Sequence, residues 1–363
     1  MTLEDEEREL IKIDKILTRI RTEFEDYSHI TPTNIDEEYE QFLRKNKNYN
    51  PVLKYNSYST DKIIRELKNL NIPTNSEIGK LFLKIKNYLL EFAEQMNNIG
   101  TDNFHTEHLF EPIDKNILAK AKKKVLEECE SEEKDKIISS KEMGNLFLNE
   151  LKKYELNDWK IKFDKNSGST THVNGGKKEI TIREGIFFSE DHLKKLLVHE
   201  IGTHVLRSEN GREQKYKIFS SGLPNYLSAE EGLASYNEEQ QKVSNPCTIK
   251  RLARNVIMTN TASKSSFMEV YKTIKDFFEE DEEGDYKTFR MCVRIKRGLR
   301  DTSKPGGFLK DHSYFQGLCK IKEYVKQGGD IKKLYAGKIG IKDISLIDKG
   351  IIKYPSKLPY FLR

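Results

Sequence analysis

Two histidines and a glutamate lie close together in the stretch LLVHEIGTHVL, residues 196–206. His199 and His204 are five residues apart, and Glu200 directly follows the first histidine. The common zinc-peptidase pattern H-E-x-x-H places its histidines four apart on one helix face, with the glutamate as general base. The residue types therefore indicate metal-assisted hydrolysis, although the spacing contains one residue too many.

The extra residue has a geometric consequence. A regular helix turns about 100° per residue, so side chains four apart diverge by about 40° and side chains five apart by about 140°. His199 and His204 can meet one ion if the helix carries a π-bulge or loosens after Gly202. Gly202 favours irregular backbone, because glycine costs a helix interior roughly 1 kcal/mol relative to alanine. We predict a local distortion between the histidines; the alternative is two unrelated histidines of a core helix.

A catalytic zinc site needs a third protein ligand, since three such ligands leave one position for water. The downstream carboxylates are Glu209, Glu213, Glu230 and Glu231. Glu231 lies 27 residues after His204 in LSAEEGLASYNEEQ, residues 227–240, which is typical of a helix. Ser228 and Glu231 also match the S-x-x-E capping box, an alternative that the residues leave open. Gly232, the next residue, lets another group approach the helix closely, which favours a metal-binding role of Glu231 over the capping box.

The surrounding elements predict an α+β, mostly helical fold. Apolar residues recur at helical spacing in 1–26, 61–70, 76–96, 113–129, 140–154, near 264–278 and 316–327. Residues 159–163 and 177–182 alternate like strands, and Asn-Gly at 174–175 predicts a two-residue hairpin turn. We therefore expect a small mixed sheet before the histidine helix.

The histidine helix is predicted to begin at Ser189 and to face the core. Ser189 is a good N-cap, and the acidic residues that follow it suit the helix dipole. An apolar stripe at helical spacing comprises Leu193, Leu196, Leu197, Ile201 and Val205.

Length, composition and charge narrow the class of protein. The 363 residues suggest two parts, an N-terminal helical region at 1–135 packed on the core and a catalytic domain at 136–363. The net charge is only +5 over 63 basic and 58 acidic residues, which does not indicate nucleic-acid binding. We expect no membrane segment and a cytoplasmic location. The four cysteines form no CxxC pair, so reduced thiols are expected, with one buried oxidised pair as the alternative.

Two further segments have simple interpretations. KNKNYNPVLKYNSY, residues 45–58, is predicted to be an extended connector, and the acidic run 279–285 a solvated loop or helix end. His105 and His108 are predicted to lie in a loop or at a helix start rather than to form a second metal pair.

HEIGTH followed by EEGLA, residues 230–234, resembles the QEGLA-motif proteins of bacteria and archaea. It is also similar to their eukaryotic relatives, the microtubule-associated tyrosine carboxypeptidases, which remove the C-terminal tyrosine of α-tubulin. Residues 294–317 are similar too, ending in K-D-x-x-Y-x-x-G, and the similarity runs from about Pro51 to near the C-terminus. The resemblance implies a zincin-like metallopeptidase core. Glu230 stands where the prokaryotic motif often has glutamine, which leaves open which of the two glutamates binds metal.

The resemblance also implies one zinc ion per chain, held by His199, His204 and Glu231, with Glu200 as the catalytic carboxylate. We expect a carboxypeptidase that acts on a peptide or protein C-terminus. The donor to the oxyanion is expected to be Tyr314 or His172, whose alternatives are a packed aromatic ring and an exposed strand residue. The cation for the substrate carboxylate is sought among Arg294, Arg297 and Lys310, each of which has the alternative of a solvated surface charge.

Two other functions are compatible with the sequence. The first alternative is a zinc-binding regulator without catalytic activity. Glu200 argues against it, because a structural zinc site does not require a free carboxylate beside the ion. The second is a helical interaction protein in which the histidines belong to the core. Metal content separates the second alternative from the other two interpretations.

Overall fold

The computed structural model describes residues 2–24, 27–129, 135–165, 167, 169–277 and 282–363. In these ranges the chain is mostly helical, with two small sheets, as predicted for an α+β protein. None of the helices in these ranges is both long and apolar enough to cross a membrane.

The helices before the sheets are α1 (Leu3–Glu23), α2 (Ile35–Arg44), α3 (Asp61–Asn69), α4 (Glu77–Asn97), α5 (Lys115–Lys124) and α6 (Ser140–Lys153). The helices after the sheets are α7 (Glu190–Leu196), a π-helix (Leu197–Val205), α8 (Leu206–Glu213), α9 (Ile218–Ser221), α10 (Leu227–Gln240), α11 (Pro246–Ala262), α12 (Phe267–Ile274), α13 (Glu282–Lys296), α14 (Ser313–Lys326) and α15 (Ser345–Asp348). The sequence patterns located many of these helices but missed α2, α11 and α13, as well as the short α9 and α15. Residues 282–285 of the acidic run begin α13, whereas 279–281 lie outside the described residues.

The larger sheet is mixed and has three strands. Its order is β2 (Lys160–Asp164), β4 (Glu179–Arg183) and β3 (Thr171–Asn174). Strand β4 pairs parallel with β2 and antiparallel with β3. Because β4 is the central strand and is paired on both sides, it has no free edge at which a substrate strand could add. Strands β1 (Ile138–Ser139) and β5 (Phe187–Phe188) form a separate antiparallel pair.

The hairpin between β3 and β4 forms as predicted, but its turn is different. Four residues, 175–178, connect the strands, and the positive φ of 52° belongs to Lys178 rather than to Asn174 or Gly175. The Asn174 side chain instead accepts a hydrogen bond from the Lys177 amide at 2.9 Å. Gly175 instead lies close to α8: a Cβ there would lie 2.4 Å from Oγ of Ser208, so the Ser208 side chain would have to move. The two-residue turn prediction was therefore wrong.

The histidine helix packs on a hydrophobic cluster that joins the sheet to α6, α10 and α14. Its buried members include Phe147, Trp159, Ile180, Ile201 and Val205. Leu193 and Leu197 pack against the same cluster, so the predicted apolar stripe faces the core. The sheet and α6 thus form the support on which the histidine-bearing segment rests.

The N-terminal helices share hydrophobic clusters with later parts of the chain. Leu17 of α1 and Phe82 of α4 lie in one cluster with Phe219 and Phe308. Phe42 of α2 packs with residues of α12 and α13 in another. The division into 1–135 and 136–363 stays a prediction, and these clusters show that apolar packing crosses that boundary.

The expectation of four reduced thiols was wrong for two of them. Cys129 and Cys247, which are 118 residues apart in sequence, form a disulfide with a Cα–Cα distance of 5.4 Å. The remaining cysteines, Cys292 and Cys319, are free. The pairing could not be read from the sequence, because it depends on α5 packing against α11.

Candidate metal centre

The predicted distortion between His199 and His204 is a π-helix. It spans Leu197–Val205 and continues α7 into α8. The preceding helix begins as predicted, with Ser189 accepting a hydrogen bond from the His192 amide. The wider turn of the π-helix brings the two imidazole rings to a centroid distance of 4.7 Å, edge to face. The five-residue spacing is therefore compatible with one ion between both histidines.

Three potential ligand atoms converge at this point. Oε2 of Glu231 lies 3.6 Å from Nε2 of His199 and 3.8 Å from Nε2 of His204. A tetrahedral zinc site with bonds of about 2.0 Å has ligand atoms about 3.3 Å apart. The ligand-capable atoms of His199, Glu200 and His204 also lie within 4.8 Å of one another. The residues present thus fit a metal ion with two nitrogen donors and one carboxylate.

Each histidine is oriented by a second carboxylate behind it. Nδ1 of His199 lies 2.6 Å from Oε1 of Glu238, and Nδ1 of His204 lies 2.8 Å from Oε1 of Glu230. Metal-binding histidines usually donate their other ring nitrogen to such a group, which fixes the ring and raises its basicity. Both Nε2 atoms are consequently turned toward Glu231.

Glu230 has a structural partner as well as His204. Its second oxygen pairs with Arg207, which is fully buried and also donates to the carbonyls of Leu334, Gly337 and Ile339. Burial would raise the pKa of Glu230, but Arg207 and His204 lower it to about 2. Because Glu230 is committed to Arg207 and to Nδ1 of His204, Glu231 is the better candidate for the third ligand.

Helix α10 presents Glu231 through a close contact with α14. The capping box that was the alternative role for Glu231 does not form, since α10 begins after Tyr226 and has no side-chain cap. At Gly232 a Cβ would lie 2.2 Å from the carbonyl carbon of Gly317 in α14. The close approach inferred from Gly232 is thus backbone contact with α14, the helix that carries Tyr314.

Glu200 is buried but reaches a large cleft. Its Oε1 accepts a hydrogen bond of 2.5 Å from the Thr171 hydroxyl at the start of β3. Glu200, His199 and Tyr314 lie along one wall of this cleft, which has a volume of about 1650 Å³. A carboxylate beside the converging ligands and open to the cleft is suited to proton transfer.

Basic side chains outnumber acidic ones among the described residues that line the cleft. The basic residues are Lys136, Lys194, Lys195, Lys242, Arg251 and Arg294. The acidic residues are Asp135, Asp191 and Glu200. The cleft therefore favours an anionic ligand.

Tyr314 and Arg294, two of the candidates from the sequence, line the cleft. Burial and the charges of Glu231 and Asp311 raise the pKa of Tyr314 well above its usual value, so its hydroxyl remains a donor. Arg294 pairs with the buried Asp311 through Nε and Nη2, and its side chain keeps 47% exposure.

The structure places the other candidates away from the cleft lining. The guanidinium of Arg297 stacks on Phe308 with 5.1 Å to the ring centroid. Nζ of Lys310 lies 4.4 Å from the ring centroid of Tyr27, and burial lowers its pKa to about 8. His172 is exposed on β3, where Thr171 points inward to Glu200.

His105 and His108 are exposed loop residues, as predicted. The sequence reasoning did not single out Thr171, Arg207 or Glu238. Thr171 could have been found from strand alternation, because residues 171 and 173 share the buried face of β3. Arg207 and Glu238 gave no sequence signal, since each acts on a residue of another helix.

The fold and the site define an α+β protein with a histidine–glutamate cluster in the wall of a cationic cleft. A family profile described as microtubule-associated tyrosine carboxypeptidase matches residues 40–362. The chain belongs to this family.

Individual relatives match over shorter ranges. The chain is 32% identical over 202 residues to the putative tyrosine carboxypeptidase MATCAP2 of Homo sapiens, covering 54% of this chain and 37% of that protein. It is 29% identical over 176 residues to microtubule-associated tyrosine carboxypeptidase 1 of Rattus norvegicus, covering 47% and 36%. The chain thus spans little more than a third of the length of these curated relatives.

Proposed function

We propose that the protein is a zinc-dependent carboxypeptidase with a zincin-like core. The observation that carries the proposal is the convergence of Nε2 of His199, Nε2 of His204 and Oε2 of Glu231 beside the cleft-facing Glu200. His199, His204 and Glu231 would hold one zinc ion. When bound, zinc would polarise the scissile carbonyl and lower the pKa of the attacking water.

Glu200 acts as the general base. Its carboxylate takes the proton of the attacking water and then delivers that proton to the leaving amine. The hydrogen bond from Thr171 holds one carboxylate oxygen in place at 2.5 Å, which fixes the direction of the other. Glu200 follows His199 in sequence and cannot easily bind the same ion, so it stays free for this task.

Tyr314 is the donor for the oxyanion. Its raised pKa keeps the hydroxyl protonated, and its helix is fixed against α10 at the Gly232–Gly317 contact. A preorganised hydroxyl at this place stabilises negative charge as it develops on the carbonyl oxygen. His172 is not retained for this role because its side chain is exposed on β3 and lies outside the cleft lining.

Arg294 binds the substrate's terminal carboxylate. It is the arginine of the three cationic candidates that lines the cleft, and its partner Asp311 fixes its position. The remaining cleft cations favour an acidic segment before the terminal residue. The family and the relatives are named for tyrosine carboxypeptidase activity, so we propose a C-terminal tyrosine on an acidic tail, such as that of tubulin, as the substrate.

The test combines zinc analysis with peptide cleavage. Purified protein and a Glu200→Gln variant should each contain about one zinc per chain, and a His199→Ala/His204→Ala variant should contain none. A His105→Ala/His108→Ala variant is the matched control, because those exposed histidines lie outside the cluster. Glu200→Gln should release C-terminal tyrosine at least about 100-fold more slowly.

Two outcomes oppose the proposal in different ways. Absence of zinc after metal-replete expression would reject the metal site and the peptidase together. Zinc without release of any terminal residue from acidic peptides would favour the alternative of a non-catalytic zinc-binding regulator.

A further inference from the structure

We infer that Tyr335 is a positioning residue that holds the histidine segment in its π-helical register. The inference rests on the proposed metal site, because that register is what gives both histidines access to one ion. Tyr335 does not belong to the proposed ligand set, and its side chain is fully buried behind the π-helix. Its role would be to keep His199 and His204, which are five residues apart in the sequence, on the same side of the segment.

The π-helix contains a carbonyl that accepts a hydrogen bond from outside the helix. At the end of the π-helix, the Leu206 amide donates to the carbonyls of Ile201 and Thr203, which flank Gly202 in the sequence. The Tyr335 hydroxyl donates to this Gly202 carbonyl at 2.9 Å. Because Tyr335 is fully buried, this bond stabilises the backbone arrangement that directs the Gly202 carbonyl toward Tyr335.

Asn237 connects this contact to the next residue of the π-helix. Its amide donates to the Tyr335 hydroxyl at 2.8 Å and to Oγ1 of Thr203 at 2.9 Å. The Thr203 hydroxyl then donates to the carbonyl of Val198, five residues earlier, at 3.0 Å. The network therefore binds two consecutive residues of the π-helix, Gly202 and Thr203, and one of its bonds has the i to i−5 span of a π-turn.

The same network joins the two helices that supply the candidate ligands. Asn237 lies in α10, six residues after Glu231, and its neighbour Glu238 contacts Nδ1 of His199. Loss of the π-turn would rotate His204 by about 100° relative to His199, because one residue fewer per turn changes the helical phase by that amount. Tyr335 and Asn237 thus fix the phase between the histidines and Glu231 without contacting the ion.

Tyr335→Phe tests the inference because it removes the hydroxyl and keeps the ring. We expect the zinc affinity, measured by competition with a chromophoric chelator, to fall about 10- to 100-fold. This is the usual effect of removing a residue that orients metal ligands without binding the metal. The cobalt-substituted variant should also show an altered visible absorption spectrum, since the ligand geometry changes. Far-UV circular dichroism verifies that each variant is folded.

Tyr154→Phe is the matched control. Tyr154 is a buried tyrosine of the same hydrophobic cluster, and its hydroxyl accepts from the Tyr360 amide rather than from the π-helix. The zinc affinity of Tyr154→Phe should stay within about twofold of that of the unmodified protein, because the hydroxyl that is removed contacts Tyr360 rather than the π-helix. Thr203→Val, which removes another hydroxyl of the network, serves as the deciding variant if Tyr335→Phe does not fold.

The outcomes separate this inference from the proposed function. An unmodified protein that binds no zinc rejects the proposed function. Zinc binding by the unmodified protein, with the same affinity and the same cobalt spectrum in Tyr335→Phe, overturns the role of Tyr335 and leaves the proposed function intact. If Tyr335→Phe does not fold, the same result in Thr203→Val has this meaning.

Discussion

The two sides of the histidine cluster differ in how their charges are partnered. Behind it, Arg207, Glu230 and Glu238 are buried and contact specific groups at short range. In front of it, the lysines and arginines of the cleft are largely exposed, as for Arg251 and Lys194. We call the buried group of Arg207, Glu230 and Glu238 the rear side and the cleft lining the front side. We expect the rear side to determine stability and the geometry of the candidate metal-binding residues, and the front side to determine which substrate enters.

The largest expected effect is on the rear side. Arg207→Met leaves Glu230 as a buried charge without its ion-pair partner, which should lower the free energy of unfolding by about 3–5 kcal/mol. Urea denaturation measures this change. The same substitution at the exposed Arg251 should change it by less than about 0.5 kcal/mol. Equal effects of the two substitutions would contradict the distinction between the two sides.

The disulfide should have the next largest effect. Cys247 lies in the first turn of α11, next to cleft-lining residues, and closes a long loop to Cys129. Cys129→Ser/Cys247→Ser should lower the free energy of unfolding of the oxidised protein by about 2–4 kcal/mol. A reductant should destabilise the unmodified protein equally and leave the double variant unchanged. Cys319→Ser, which removes a free thiol, is the control.

The pH dependence of metal affinity sharpens the description of the rear side. Burial lowers the pKa of His199, but hydrogen bonds with Glu231 and Glu238 outweigh it and raise the pKa well above 6.5 in the metal-free protein. The stability gained from this shift is fully present below pH 6.5 and is lost as the pH rises through the raised pKa. Metal must displace this proton, so zinc affinity should fall about tenfold per pH unit below that pKa.

Calorimetry in buffers of different ionisation enthalpy counts the protons released on zinc binding. We expect about one proton per zinc ion in the pH range where His199 of the metal-free protein is protonated. A zinc affinity that does not change with pH would show that His199 is not displaced from a protonated state.

The smallest effect is expected for single charges of the front side. Lys194 has 61% side-chain exposure and lies 4.0 Å from Asp191, so its contribution is screened by water and salt. Lys194→Gln should raise KM for an acidic peptide by about two- to threefold without changing kcat. Added salt should raise KM of the unmodified protein and reduce the difference. A change in kcat would place Lys194 nearer to the chemistry than proposed.

The local geometry at the histidines was predictable, because helical phase follows from counting residues. His199 and His204 cannot share an ion on a regular helix, and a π-helix is one of the two solutions that the sequence allowed. The general α+β architecture and the capping role of Ser189 were predictable for the same reason, since they depend on neighbouring residues.

Features that depend on distant parts of the chain were not predictable. The disulfide between Cys129 and Cys247 forms only when two helices pack together. Arg207 likewise donates hydrogen bonds to three carbonyls of residues 334–339, far away in the sequence. The hairpin turn was mistaken for another reason: Gly175 serves its contact with Ser208 rather than a positive φ. Glycine can serve either a positive φ or a close contact, and the sequence does not show which of the two a given glycine serves.

The contact between Gly232 and Gly317 limits the dimensions of the whole site. Each glycine occupies space where a methyl group would overlap the backbone of the opposite helix, at 2.2 Å from Gly232 and 1.8 Å from Gly317. A side chain at either position would have to separate α10 from α14 and carry Tyr314 away from Glu231. The tolerance of the candidate site is therefore set by two residues that have no reactive group, and alanine at either one is a larger change there than its size suggests.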